Sequence, residues 1–196
     1  MKLILITTPN LYPGETDAVN ALFQAGLEIL HLRKPGIHAD ALKQWLQAID
    51  IDFRNRIVIH EHFELTEEFQ LKGVHLNRRN PQAPDGFTGH ISCSCHSLQE
   101  VAERKSHYTY VFLSPIYNSI SKVSYKAAFT IDELKAATAQ NIIDQRVIAL
   151  GGIHKERLSQ ISSLGFGGAA ILGDLWSHTD RDLIPYFQEL KKEAYS

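Results

Sequence analysis

The sequence predicts a compact (β/α)8 barrel formed by a single domain over residues 1–196. Short apolar runs alternate along the chain with segments of helical periodicity, and eight such units use its whole length. The runs are apolar throughout rather than alternately polar, which is typical of parallel strands buried on both faces. An open doubly wound sheet is the alternative, but eight units favour a closed barrel.

The predicted strands are short and end at turn-forming or polar residues. Pro9 follows the first strand, and Pro35 and Gly36 follow the second. Proline lacks an N–H and glycine tolerates turn conformations, so both residues end strands. The predicted strands cover residues 3–8, 28–33, 56–61, 73–76, 90–95, 108–113, 147–150 and 169–172.

The segments between the strands carry helix-start and helix-stop signals. Gly26 and Gly165 stand where a helix C-terminus favours glycine, and Ser97 and Thr130 stand at N-cap positions. Glu100 is spaced to complete a capping box with Ser97. The predicted helices cover residues 17–25, 38–49, 64–70, 98–105, 131–139, 155–164 and 183–194.

The segment after the fourth strand, residues 77–89, does not read as a full helix. Pro81, Pro84 and Gly86 break it into short pieces. We therefore expect the helix after strand 4 to be shortened or missing. This accounts for part of the difference from the typical barrel length of about 250 residues.

Composition excludes several classes of protein. With 44% hydrophobic and 21% charged residues, the chain is neither disordered nor a coiled coil, and its net charge of −2 gives no nucleic-acid footprint. No apolar run reaches the roughly 20 residues of a membrane span, and residues 1–6 are too short for a signal peptide. Cys93 and Cys95 are badly spaced for a disulfide, so we expect a reducing cytoplasm. Composition leaves a homo-oligomer open.

Polar, cationic and histidine-rich residues gather where the predicted strands end. In a barrel, the loops after the strands form the active site, so these residues are the candidates. They include five of the ten histidines of the chain, namely His31, His60, His62, His75 and His96.

Two features predict a phosphorylated ligand. Gly152 and Gly173 lie at the ends of strands 7 and 8, where such barrels commonly bind phosphate through backbone N–H groups. Arg33, Lys34 and Lys122 supply cations for a second, more strongly charged group.

A zinc hydrolase site is an alternative interpretation. His60 and His62 are two residues apart, so on a strand both imidazoles face the same side. His75 or His96 would then be the third ligand.

The order of the strand-end motifs resembles the thiamine-phosphate synthase family and its TenI-like relatives. The resemblance covers nearly the whole chain. It rests on His31-Leu-Arg-Lys34, Ile59-His-Glu61, Gly73-Val-His-Leu76, Ser94-Cys-His-Ser97, Ser114-Pro-Ile-Tyr-Asn-Ser-Ile-Ser-Lys122, Ala149-Leu-Gly-Gly-Ile153 and Gly168-Ala-Ala-Ile-Leu-Gly173.

The resemblance implies a particular reaction and class of substrates. The family joins an aminopyrimidine methyl diphosphate to a thiazole phosphate and releases pyrophosphate, assisted by Mg²⁺ and protein cations. It implies small phosphorylated substrates. Alternatives within the family are a TenI-like thiazole tautomerase and a non-catalytic paralogue that binds a phosphate or thiamine ligand.

The resemblance also implies residue roles. Arg33, Ser94 and Lys122 would bind the diphosphate, and His60 stands where the family has a pyrimidine-contacting Asn. His31, which replaces a Gln, and Lys34 would complete the substrate contacts.

For the thiazole phosphate, the resemblance implies hydroxyl and backbone donors, which are Ser119, Ser121, Gly152, Leu172 and Gly173.

Metal and acid–base roles follow in the same way. Glu61 and Asn80 would be the Mg²⁺ ligands, with Glu61 in place of an Asp. His96 or His60 is the nearest acid–base group for a tautomerase. Arg78 and Arg79 either contact the diphosphate directly or are solvated loop charges.

Overall fold

A computed structural model describes residues 1–118, 128–178 and 180–196. Eight parallel strands close into a barrel, in which each strand pairs with the next along the chain and the last pairs with the first. The strands are β1 (Lys2–Ile6), β2 (Ile29–Leu32), β3 (Ile57–Ile59), β4 (Gly73–Leu76), β5 (His90–Cys95), β6 (Tyr110–Leu113), β7 (Val147–Leu150) and β8 (Gly168–Ile171). The predicted fold class is confirmed, and the open sheet is excluded.

Helices follow most strands and cover the outside of the barrel. They are α1 (Glu15–Gln24), α2 (Ala39–Gln47), α3 (Ile51–Arg54), α4 (Leu65–Glu68), α5 (Leu98–Arg104), α6 (Ile131–Ala139), α7 (Leu158–Ser163), α8 (Gly173–Trp176) and α9 (Asp180–Tyr195). No helix forms over residues 77–89, as the sequence predicts. In the described part of the chain, no helix has both the length and the apolarity needed to cross a bilayer.

Both predicted N-caps are present, with one difference. Thr130 forms the complete capping box with Glu133. Ser97 accepts the backbone N–H of Glu100, but the Glu100 carboxylate accepts the N–H of His96 instead of the one on Ser97. The capping-box prediction was therefore half right, because the loop before α5 offers the carboxylate another donor.

Several element bounds differ from the sequence prediction. The predicted helix over 155–164 is a 3₁₀ turn, Lys155–Arg157, followed by α7. The four-residue helices α3 and α8 were not predicted, because one helical turn leaves no periodicity to detect. Neither difference moves a strand end.

The barrel interior has two different sides. Around β1, β7 and β8 it is filled by apolar side chains, including Ile6, Ile148 and Ala170. Around β2 to β5 it contains polar side chains that are fully buried, among them His31 and His75. Residues two apart on a strand face the same side, so this polar side leads directly to the strand ends.

Candidate active site

Three buried histidines from neighbouring strands meet inside the barrel. His31 lies on β2, His75 lies on β4, and His60 directly follows β3. His31 Nδ1 is 2.9 Å from His60 Nε2, and His31 Nε2 is 2.6 Å from the hydroxyl of Tyr110. We call His31, His60 and His75 the histidine cluster.

His75 is held by two serines and an aromatic ring. Its Nδ1 lies 2.9 Å from Ser92 Oγ, and its Nε2 lies 2.9 Å from Ser94 Oγ. Its ring stacks on that of His60 with a centroid separation of 4.3 Å, and Phe112 lies 4.7 Å away. Hydrogen bonds and packing therefore orient the ring against His60.

The histidine cluster is uncharged at neutral pH. Burial lowers the pKa of His31 and the pKa of His60 well below the ordinary value of 6.5. Burial, with smaller contributions from His90 and Arg33, lowers the pKa of His75 to about 3. The cluster is therefore a set of neutral donors and acceptors.

The predicted metal ligands Glu61 and Asn80 lie beside the cluster. Arg79 contacts Glu61 Oε1 through Nε at 3.0 Å and Nη2 at 2.9 Å, and the other carboxylate oxygen is buried without a hydrogen-bond partner. Asn80 donates Nδ2 to the backbone oxygen of His60 at 2.9 Å, so only its Oδ1 could reach a metal. This donor set fits Mg²⁺ held mainly through Glu61 Oε2, since Mg²⁺ is often bound by one carboxylate plus substrate phosphate.

A cavity of about 230 Å³ opens at the ends of β4 and β5. Ser94, His96 and Arg78 line the cavity, together with Glu100 and Arg104. Arg78 and its neighbour Arg79 thus have different surroundings, one in the cavity and the other on Glu61. The structure brings three predicted site elements together here: the hydroxyl of Ser94, the imidazole of His96 and an arginine.

His96 is positioned by a backbone carbonyl. Its Nδ1 lies 3.1 Å from the oxygen of Ser114, which can only accept a hydrogen bond, so Nδ1 carries the proton. In the neutral ring, Nε2 then has the lone pair. This geometry makes His96 a proton acceptor on an exposed wall of the cavity.

The neighbouring cations Arg33 and Lys34 have opposite environments. Arg33 lowers the pKa of both His60 and His75 through its charge, which places it beside the histidine cluster. Lys34 is buried and contacts Glu15 Oε1 at 2.5 Å.

Lys34 was therefore predicted wrongly as a substrate contact. Its ammonium group also donates to the backbone oxygens of Thr8 and Asn10, each at 2.9 Å, and Glu15 additionally accepts the indole N–H of Trp45 at 3.0 Å. These partners leave Lys34 a structural ion pair. The physical reason is that β2 ends at Leu32, so Lys34 lies in the loop after the strand and its side chain reaches Glu15 of α1.

The opposite rim of the barrel offers backbone rather than side chains. Gly152 has φ +64°, and a Cβ there would lie 2.2 Å from the backbone oxygen of Asn118. Tyr117 N donates to Gly151 O at 3.0 Å, which fastens the loop after β6 to this rim. Leu172 and Gly173 directly follow β8, the neighbouring strand, and their predicted role in binding phosphate stays a prediction.

Three predicted contacts, Ser119, Ser121 and Lys122, lie outside the described residues. Their roles stay predictions. Of the described residues before them, Ile116 N donates to Leu150 O and Tyr117 N donates to Gly151 O, both at the end of β7.

The predicted pairing of His60 with His62 is wrong. His62 has φ +55° and its Nε2 lies 2.7 Å from the oxygen of Ile37, so the chain leaves the strand before this residue. His60 instead contacts His31, a neighbour that only the barrel register provides. Sequence analysis also missed Tyr110 and Ser92, whose inward position follows from their two-residue spacing to Phe112 and Ser94.

Taken together, the closed barrel, the arginines at the strand ends and the glycines of the opposite rim define a barrel enzyme that acts on phosphorylated molecules. Residues 3–175 match the family described as thiamine monophosphate synthase. The chain belongs to this family, as its motifs predict.

Individual relatives agree with this assignment. The solved structure of a thiamine phosphate pyrophosphorylase from Bacteroides thetaiotaomicron is 46% identical in sequence and has a TM-score of 0.92. The match covers 100% of this chain and 98% of the pyrophosphorylase chain. The thiamine-phosphate synthase of Photorhabdus laumondii is 25% identical over 171 residues, which are 83% of this chain and 79% of that protein. The pyrophosphorylase from Pyrococcus furiosus is 19% identical over 99% of this chain and 95% of its own, with a TM-score of 0.77, and supports the fold.

Proposed function

We propose that the chain is a thiamine-phosphate synthase, which joins an aminopyrimidine methyl diphosphate to a thiazole phosphate and releases pyrophosphate. The observation that carries the proposal is the pairing of arginines with an uncharged histidine cluster at one side of the barrel mouth. Family membership and the 46% identical pyrophosphorylase structure support the same reaction.

The arginines suit the departing diphosphate. The charges of Arg33 and Arg79 both lower the pKa of His60, so both guanidinium groups lie near it. Arg78 lines the cavity beside Ser94. A guanidinium can donate two parallel hydrogen bonds to a phosphate, and its charge stabilises the negative charge that develops as the C–O bond breaks. The electron pair of that bond leaves with pyrophosphate.

The neutral histidine cluster suits the other product of that cleavage. Loss of diphosphate leaves positive charge on the pyrimidine methylene carbon. Imidazolium groups would repel this charge, whereas burial holds His60 and His75 uncharged. The thiazole then donates the electron pair that forms the new bond.

Two further features complete the proposed site. Glu61, through its unpaired Oε2, would hold Mg²⁺, with Asn80 as a second neighbour; when bound, the ion neutralises part of the charge of the diphosphate. Gly152, Leu172 and Gly173 offer backbone at the opposite rim for the thiazole phosphate. By resemblance, Ser119 and Ser121 join them, and Lys122 joins Arg33 on the diphosphate.

A turnover assay tests the proposal. The purified protein is incubated with both substrates and Mg²⁺, and thiamine phosphate is read as fluorescent thiochrome after oxidation. We expect product, with a turnover about a hundredfold lower in Arg33→Ala. Arg146→Ala, an exposed arginine before β7 at the opposite end of the barrel, should match the wild type. Absence of product from the folded wild-type protein would discard the synthase.

A thiazole tautomerase is the second candidate, and His96 favours it. Its Nδ1 is held by the carbonyl of Ser114, so Nε2 can accept a proton in the cavity. Incubation with a thiazole carboxylate phosphate and detection of its tautomer by NMR tests this reaction. Conversion that is lost in His96→Gln supports it, and unchanged substrate excludes it.

If both assays give no turnover while the folded protein binds the thiazole phosphate, the chain is the non-catalytic paralogue. The two assays and one binding measurement thus separate the three family roles.

A further inference from the structure

We propose that the histidine cluster is a binding site for a divalent transition-metal ion such as Zn²⁺ or Co²⁺, separate from the Mg²⁺ position at Glu61. Among the described residues, His31, His60 and His75 are the group of metal-ligating side chains whose nitrogens come together, all within 4.8 Å of one another. The inference rests only on this arrangement and concerns the protein before the pyrimidine substrate reacts, because a cation bound in the cluster would repel the methylene cation of the proposed reaction.

The hydrogen bond between His31 and His60 brings two ligating nitrogens almost to the separation that a metal ion requires. His31 Nδ1 and His60 Nε2 are 2.9 Å apart and share one proton between two lone pairs. A tetrahedral ion with Zn–N distances of about 2.0–2.1 Å needs its nitrogens about 3.4 Å apart. Replacing the shared proton by a metal therefore requires a separation increase of roughly half an ångström.

One ring nitrogen of His31 and one of His75 already have hydrogen-bond partners that could orient the rings toward an ion. Tyr110 lies on His31 Nε2 at 2.6 Å, and Ser92 lies on His75 Nδ1 at 2.9 Å. Partners of this kind fix the tautomer and orientation of a ligating histidine. With a proton on His31 Nε2, His31 Nδ1 presents its lone pair to the ion, and His75 Nε2 does so by exchanging its hydrogen bond with Ser94 Oγ for the metal.

The protonation state of the imidazole rings also favours metal binding. Only neutral imidazole binds a metal, and burial keeps His31 and His75 neutral at pH 7. No proton has to leave the site. Because His31 Nε2 already carries the proton of that ring, the proton shared by His31 and His60 moves to His60 Nδ1.

The donor set selects the ion. Three imidazole nitrogens without a carboxylate favour borderline metals such as Zn²⁺, Co²⁺ and Ni²⁺ over Mg²⁺, which requires oxygen. His60 and His75 must turn out of their 4.3 Å stack, because imidazole lone pairs lie in the ring plane. The charges of Arg33 and Arg79 near His60 favour an anion, such as a phosphate oxygen, in the fourth position.

Cobalt titration of the full chain tests the site. The protein is stripped with a chelator and titrated with Co²⁺ while the visible spectrum is recorded. We expect one equivalent to bind with the d–d bands of four-coordinate Co²⁺, Zn²⁺ to displace it, and excess Mg²⁺ to leave it in place. His31→Gln and His60→Asn, the residue types of the family at these positions, should each abolish the bands.

Further variants make the test specific. Tyr110→Phe should weaken Co²⁺ binding about tenfold while keeping the ligands. His107→Gln, an exposed histidine at the opposite end of the barrel, should bind like the wild type. No bands with the wild-type protein, displacement of Co²⁺ by Mg²⁺, or bands retained in both His31→Gln and His60→Asn would overturn the proposal. If one of these variants does not fold, the other and Tyr110→Phe decide.

Discussion

The two sides of the barrel mouth use different parts of the polypeptide for recognition. The side formed by β2 to β5 presents side chains, namely the histidine cluster with Arg33, Arg78 and Arg79. The side formed by β7 and β8 presents backbone, because Gly152 and Gly173 stand at its strand ends. Below the mouth the same division continues, with buried polar groups under one side and Ile148 and Ala170 under the other.

If the proposed function holds, this difference explains how one mouth would bind two phosphorylated molecules. Negative charge develops on the departing diphosphate, and the permanent charges of arginine side chains would stabilise it. The thiazole phosphate keeps its charge during the reaction, and backbone N–H groups would be enough to bind it. The buried histidines of the polar side should lower the stability of the protein in acid, whereas the backbone side leaves no room for a Cβ at Gly152. Each side can therefore be tested separately.

The largest expected effect is acid destabilisation by the polar side. The folded-state pKa values of His31, His60 and His75 lie below the unfolded value of 6.5. Below pH 6.5 the unfolded chain therefore binds protons that the folded chain does not, and stability falls until the pH reaches the folded pKa values. Between pH 7 and pH 5 we expect a loss of about 2 kcal/mol per histidine.

Urea unfolding at pH 7, 6 and 5 measures this loss. The double variant His31→Gln/His60→Asn should retain about half of the histidine contribution, because His75 and His90, whose pKa burial lowers to about 4, still take up protons on unfolding. An equally steep pH dependence in the double variant would show that the acid sensitivity originates elsewhere.

Lys34→Met should destabilise the protein by about 3–5 kcal/mol, because it leaves the buried Glu15 carboxylate without its cation. Thermal and urea unfolding measure the change. The exposed pair Lys43–Glu68, at 2.8 Å, provides the control, and Lys43→Met should change stability little. If Lys34→Met instead keeps full stability and loses substrate affinity, Lys34 belongs to the mouth after all.

Gly152→Ala tests the backbone side. The left-handed conformation costs an alanine about 1–2 kcal/mol, and the contact of its Cβ with the oxygen of Asn118 adds to this. Gly14→Ala is the matched control, since Gly14 has φ +80° but no atom within 4 Å of the added Cβ. We expect Gly152→Ala to lower the urea midpoint more than Gly14→Ala; equal shifts would mean that the close approach does not matter.

Tyr110→Phe should have the smallest effect, a loss of about 1–2 kcal/mol, because it leaves His31 Nε2 buried without its partner. Urea unfolding at pH 7 measures it. Tyr195→Phe, on an exposed tyrosine, serves as the control and should be near neutral. A Tyr110→Phe variant as stable as the wild type would mean that the 2.6 Å contact contributes nothing net.

Much of this architecture could be predicted from the sequence. The eight apolar runs gave the strand order, and their ends located His31, His60 and His75 at one rim. The family followed from the same strand-end motifs. What could not be read was which histidines meet, because His31 and His60 are joined by the register of β2 against β3, a contact between distant parts of the chain.

The predictions for Lys34 and His62 show a second limit of what the sequence alone can predict. Arg33 and Lys34 are adjacent and both cationic, so residue type does not distinguish them. In the loop after β2, however, Arg33 lies beside the histidine cluster and Lys34 pairs with Glu15. His62 was assigned to a strand that ends at Ile59. In both cases the residue type was informative and the direction of the side chain depended on a boundary of one or two residues.

Calorimetric titration of inorganic pyrophosphate, in the presence of Mg²⁺, tests the central claim that the polar side binds the diphosphate. The wild type and Arg146→Ala should bind it equally, and Arg33→Ala and Arg79→Ala should bind it at least about tenfold more weakly, since each loses a charged hydrogen-bond donor. Equal affinity in all four proteins would contradict the account and place the diphosphate elsewhere.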